Sequence, residues 1–335
     1  MEMTLPYIWA VIILFSIMMY VVMDGFDLGI GILYPFFHDK ADRDLMMNSV
    51  APVWDGNETW LVMGGAGLLA AFPLAYGIIL SACYLPLIFM LIGLIFRGVA
   101  FEFRFKAHEH ERHFWDKAFI GGSIIATFFQ GVTLGAYIQG FQVSQRAFAG
   151  GPLDWLTPFS IFTGLSLLVG YALLGSTWLV MKTEGHVQTE AYRITRKLIW
   201  LLLAAIAGVS IWTPFLDADI AQRWFSLPNM LWLSPVPLLV AVFAVLLLRA
   251  VTRQSQAAPF LYTLALIFLC FAGLGLSLWP NVIPPDITLL DASSHPKSQA
   301  FTLVGTLIIM PMILIYTFWS YYVFRGKVRH GEHYH

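Results

Sequence analysis

Long apolar stretches recur along the whole chain, each cut off from the next by a short polar or proline-containing connection. Nine can be marked, at about 8–33, 53–72, 76–100, 118–143, 158–181, 198–215, 232–249, 259–279 and 300–324. Each suits a helix crossing a hydrocarbon layer about 30 Å thick at about 1.5 Å per residue. The second and third come from one block, since no charged residue occurs between Leu61 and Phe96. We divide it at Ala71-Phe72-Pro73, because proline favours a break and the block is long enough for two crossings.

Composition turns this pattern into a membrane assignment. Of 335 residues, 59% are hydrophobic and 12% charged, with a mean hydropathy of +0.73; soluble domains carry about a quarter charged residues. The expected fold class is all-α and polytopic, one integral membrane domain over 1–335. "MEMTLPYIW" has no basic segment before its apolar run, so it reads as a retained first helix. Charge then orients the chain. Of 19 Lys and Arg, only Arg146, Arg223 and Lys297 fall on one side of the nine-span arrangement. The positive-inside rule therefore expects the N-terminus outside and the C-terminus in the cytoplasm. Cys83 and Cys270 lie in apolar segments and read as small core residues. The chain shows no nucleotide-binding loop, no metal-cluster motif and nothing that suits nucleic acid. The tail "RHGEHYH" reads as a polar end rather than a metal site.

The candidate chemistry is the charge placed inside or beside these spans. Asp24 and Asp27 of "VVMDGFDLGIG" are three apart and share a helix face. A carboxylate at that depth costs several kcal/mol unless hydrated, protonated or paired, which makes both functional candidates, with a capped structural anchor as the alternative. In "SVAPVWDGNETW", Asp55 and Glu58 fall near the start of the second span, where a helix dipole favours anions. Ser49 and Asn57 are available to them, and Trp54 with Trp60 could mark the interfacial belt. Acids gathered at one depth could hold a water-filled mouth for proton input. Arg97, near the end of the third span, could pair with Asp27 or Asp55 or reach lipid phosphates. The basic run after it reads as an ordinary loop. None of the nine histidines falls inside a span, so haem or metal chemistry would belong to a partner.

These residues resemble a known family. "DGFDLG", "APVWDGNETWL" and "FRGVAFEFR", in that order on the first three spans, are similar to subunit II of bacterial cytochrome bd quinol oxidases, the second motif to the cyanide-insensitive branch. The resemblance covers essentially the whole chain. It implies nine transmembrane helices as two four-helix bundles plus a peripheral helix, in the bacterial cytoplasmic membrane. It also implies a haem-bearing subunit I that holds two b-type haems and one haem d, and small single-helix accessory subunits in some complexes. The present chain would ligate no cofactor or metal. The implied reaction oxidises ubiquinol and reduces dioxygen to water, with protons released outside and taken up from the cytoplasm. The resemblance puts Asp27 and Asp55 on the border of the uptake path, with Trp54, Asn57 and Arg97 in the matching motifs; Glu58 and Asp24 join them as candidates from the residue reading. Two other readings remain: a proton-coupled secondary transporter, which predicts an internal repeat that is not evident, and a purely structural scaffold.

Overall fold

A computed structural model describes residues 4–329; His330, His333 and His335 of the polar tail lie outside the described residues. Helix dominates: α1 (Leu5–Leu33), α2 (Lys40–Asn48), α3 (Trp54–Ala71), α4 (Pro73–Ala82), α5 (Tyr84–Lys106), α6 (Glu109–Gln139) and α7 (Pro158–Lys182). They are followed by α8 (Gly185–Trp212), α9 (Ala218–Phe225), α10 (Asn229–Leu233), α11 (Pro235–Thr252), α12 (Ala258–Leu278) and α13 (Pro296–Val323). Among the described residues, eight helical segments are long and apolar enough to cross a membrane. The fold is thus all-α and multi-pass.

Prolines set many of the boundaries. Pro6, Pro73, Pro158, Pro235, Pro259 and Pro296 each stand in a first helical turn, where the missing N–H costs nothing. Thr157 adds a capping box with Ser160 at the head of α7. The apolar block divides at Phe72, next to Pro73, and again at Cys83, so the stretch 76–100 is two helices, α4 and α5. Three helices outrun their apolar stretches. α5 continues to Lys106, α6 begins at Glu109 and α8 begins at Gly185, because the charged ends are held by side-chain pairing that hydropathy does not register.

α1 is the central element, packed against α3, α6 and α7. Its contact with α7 is close enough that a Cβ at Gly29 would lie 1.9 Å from the Tyr171 carbonyl oxygen, and one at Gly175 2.5 Å from the Gly29 carbonyl carbon. The α5–α6 pair is as tight, since a Cβ at Gly122 would meet the Gly93 carbonyl oxygen at 2.6 Å and the Arg97 nitrogen at 2.7 Å. These backbone approaches leave no room for a side chain. They fix which faces of α1 and α5 point into the bundle.

The two ends of the bundle differ. At one end a β-hairpin, β1 (Asn281–Ile283) with β2 (Ile287–Thr288), sits on the helix termini: Tyr137 donates to the Val282 carbonyl at 2.7 Å, and the Ser294 amide donates to the Ala71 carbonyl at 2.8 Å. At the other end, α2 and the loop that follows it lead from α1 into α3. α13 is the least embedded of the long helices, with Phe301, Ile315, Phe318 and Trp319 exposed along it.

Candidate functional site

The sequence candidates converge where α1, α3 and α5 meet. Asp24 and Asp27 on α1, Asn57 on α3 and Arg97 on α5 are each 0–1% exposed. The Arg97 guanidinium donates through Nη2 to Asp24 Oδ1 at 2.6 Å and to Glu58 Oε1 at 2.7 Å. Asp27 takes a different partner. Its Oδ2 accepts from the Asn57 amide nitrogen at 2.7 Å, and the same nitrogen also donates to the Met23 carbonyl at 3.2 Å. Asn57 Oδ1 in turn accepts from the Tyr321 hydroxyl of α13 at 2.9 Å.

Local helix geometry explains the grouping. Asp24 and Asp27 are three apart, and Trp54, Asn57 and Glu58 are three and four apart, so each set shares a face. Trp54 stacks on Phe101 with ring centroids 5.1 Å apart, and Arg97 lies over the Trp54 ring at 5.7 Å. That aromatic wall closes one side of the guanidinium. Its weak hydration makes arginine the cation suited to such a site. Glu58 is the most open member, with 29% of its side chain exposed. One turn before Asp24, Tyr20 carries the polar line onward: its hydroxyl accepts from Gln130, whose oxygen accepts from the Tyr171 hydroxyl at 3.0 Å.

Several buried polar atoms of this group have no hydrogen-bond partner among the described residues: Asp24 Oδ2, Asp27 Oδ1, Arg97 Nε and Arg97 Nη1, with Ser123 Oγ and Thr127 Oγ1 on α6. Such atoms are rare in buried settings and call for an explanation. Three carboxyls stand around one guanidinium, so the cluster cannot be neutral unless carboxyls carry protons. The arrangement suits a group that gains and loses protons with little change of shape.

Some expected pairings are corrected. Arg97 bridges Asp24 and Glu58, not Asp27 or Asp55, and it does not reach toward lipid phosphates. Asp55 is exposed on the first turn of α3, on another face from the buried group. Ser49 donates to the Met46 carbonyl of its own helix and takes no part. The basic run after Arg97 is not simply a solvated loop. Arg104 is 1% exposed, donating to Asp116 and to Asp44, both at 2.5 Å, while Arg43 donates to the other Asp116 oxygen at 3.0 Å. One clue was available: Arg104 is seven residues after Arg97, two turns along the same face.

The histidines stand at helix ends or in connections among the described residues. His108 and His295 are N-caps, His110 and His113 lie in the first turns of α6, and His38 precedes α2. His186 opens α8 beside Asp42 at 2.6 Å. Among the described residues no three His, Cys, Asp or Glu side chains are placed to hold a metal ion, and both cysteines are free. Among the described residues no histidine is buried inside a helix.

Comparison with known proteins gives a consistent picture. A family model described as cytochrome bd terminal oxidase subunit II matches residues 5–324. Cytochrome bd-I ubiquinol oxidase subunit 2 of Escherichia coli K12 is 28% identical over 97% of this chain and 95% of its own length. Cytochrome bd ubiquinol oxidase subunit 2 of Bacillus subtilis 168 is 28% identical, covering 97% of both. The structure of bd oxidase from Geobacillus thermodenitrificans includes a chain of the same fold, with a TM-score of 0.78 at 16% identity over 96% of this chain and 98% of that one.

Proposed function

The chain belongs to the cytochrome bd terminal oxidase subunit II family, and from that premise we propose that it is the haem-free subunit of a quinol oxidase and borders its proton uptake path. The complex oxidises ubiquinol and reduces dioxygen to water, generating a proton gradient. Subunit I, carrying two b-type haems and haem d, supplies the redox chemistry, with small single-helix subunits and membrane lipids as further partners. The proton-coupled transporter reading gives way to this membership.

One observation carries the role of this chain: a fully buried arginine holds two carboxyls through a single nitrogen while a third stands beside them. Glu58, partly open, takes a proton first. Its hold on Arg97 Nη2 loosens, and Asp24 keeps the guanidinium paired. Asp24 and Asp27 then have unpartnered oxygens, Oδ2 and Oδ1, at which a proton can be held. Arg97 keeps the negative charge of the group in check throughout, at a depth where an unpaired ion is costly. Trp54 and Asn57 hold Arg97 and Asp27 in place. Asp55 stands at the mouth.

The same reading gives the chain nine crossings as two four-helix bundles with α13 peripheral, and the N-terminus outside. α3 supports this count because its 18 residues reach about 27 Å at the helical rise; α4 and α5 then form one crossing bent at Cys83. The outer face of α3 is the docking side for subunit I. Asp55 and Thr59 are exposed there, and an acid at a helix end is better covered by protein than by hydrocarbon.

Replacing Asp24 by asparagine tests the proton role. Turnover per haem should fall while haem content of the purified complex stays normal. Equal loss of both would make the cluster a structural element and favour the scaffold reading.

A further inference from the structure

α13 packs against the bundle mainly through α3 and α1 and is otherwise largely exposed, yet one of its side chains reaches the site. Tyr321 donates to Asn57 Oδ1 at 2.9 Å. The amide is held from both sides: Tyr321 donates to its oxygen, while its nitrogen donates to the Met23 carbonyl at 3.2 Å and to Asp27 Oδ2 at 2.7 Å. Without the Tyr321 donor the amide loses one of these three holds, and turning its oxygen toward a protonated Asp27 costs less. We propose that Tyr321 is a positioning residue: it locks the Asn57 amide with its donors toward Asp27, leaving Oδ1 as the atom that exchanges the proton. The consequence for turnover rests on the uptake path proposed above; the lock itself does not.

The setting of Tyr321 fits this task. Its ring stands edge-on to Phe26 at 6.4 Å and to Trp178 at 6.2 Å, and Phe26 and Trp178 stack at 4.1 Å. Just beyond the ring, the chain is clasped to the end of α7. Lys182 donates to the carbonyls of Phe324 and Gly326 while lying over Trp178 at 5.2 Å. The Val328 amide donates to the Lys182 carbonyl at 2.9 Å, and Lys327 donates to the Thr183 carbonyl at 3.1 Å. The clasp and the aromatic box hold the ring, and the ring holds the hydroxyl. Tyr321 lies on the least embedded of the long helices described, and it joins that helix to Asp27 through two hydrogen bonds.

The test uses the assembled oxidase in detergent or vesicles. Infrared difference spectra with isotope-labelled aspartate identify the Asp27 band by its loss in Asp27→Asn. Tyr321→Phe keeps the ring and removes only the hydroxyl. It should move the Asp27 band and lower turnover by about three- to ten-fold, the scale of one lost hydrogen bond, with haem content unchanged. In an Asn57→Ala background the same substitution should leave the band where it is. An Asp27 band unmoved by Tyr321→Phe, or moved equally in both backgrounds, overturns the proposal. If Asp27→Asn turns over at the parental rate while Tyr321→Phe still moves the band, the lock stands and the uptake path falls.

Discussion

α5 carries two buried arginines, two turns apart, and they are finished differently. Arg104 spends Nε on Asp116 and Nη1 on Asp44, and the second Asp116 oxygen is taken by Arg43. Two cations meet two carboxylates, and none of the carboxylate oxygens in these bonds is left over. Arg97 faces Asp24 and Glu58 through one nitrogen, has Asp27 nearby, and keeps two nitrogens without partners among the described residues. The first arrangement is complete and gains nothing by exchanging a proton. The second has spare acceptors and spare donors at full burial. Burial of charge alone therefore does not suit a group to proton exchange; spare donors and acceptors beside it do.

The contrast can be broken most forcefully at Arg104. Arg104→Met takes Asp44's partner away and leaves Asp116 with Arg43 alone, at the end that ties α2 to α5 and α6, and breaking a buried pair costs about 3–5 kcal/mol. The yield of assembled complex and its thermal stability should fall sharply, while whatever assembles keeps its turnover per haem. If turnover per haem falls instead, the two arginines share one role. Asp24→Asn should do the opposite, lowering turnover by about 100-fold, within the range of a lost proton-transfer group, with near-normal assembly. Glu58→Gln keeps shape and a hydrogen bond to Arg97, and as the partly open member of the group it should cost less, about ten-fold, read as oxygen consumption per haem.

The smallest effect belongs to an acid outside both clusters. The Thr288 hydroxyl and amide donate to Asp291 in the loop and hold its carboxyl below the usual aspartate range. A depressed folded-state value means the contribution is present above the ordinary aspartate value and is lost as pH falls through the depressed one. Asp291→Asn should slightly speed proteolysis of the 280–299 loop at neutral pH, and the difference from the parent should vanish in acid. A difference that grows in acid would contradict the assignment.

Much of this was legible in the chain, for identifiable reasons. Acids and an arginine inside apolar stretches stand out because the surrounding composition is so uniform, which is why Asp24, Asp27, Glu58 and Arg97 could be named as candidates. Their pairing could not be read. Depth follows from counting residues, but which acid meets Arg97 depends on the rotation of each helix about its axis, and close backbone contacts such as Gly29 on Gly175 set that rotation. The direction in which Asp55 faces was hidden for the same reason: it shares a turn with Asn57 but is exposed. Arg104 and Asp116 escaped notice because they lie past the apolar windows, where a charged run normally means solvent. Tyr321 gave no signal at all, being one aromatic among several at the end of the last helix.

The hydrogen bond between Tyr321 and Asn57 joins residues 264 positions apart. During synthesis the earlier helices can insert and pack long before their last companion leaves the ribosome. Until α13 arrives, the Asn57 amide oxygen lacks the Tyr321 donor. Among the described elements α13 is made last, so the surroundings of Asp27 are completed only when that helix packs.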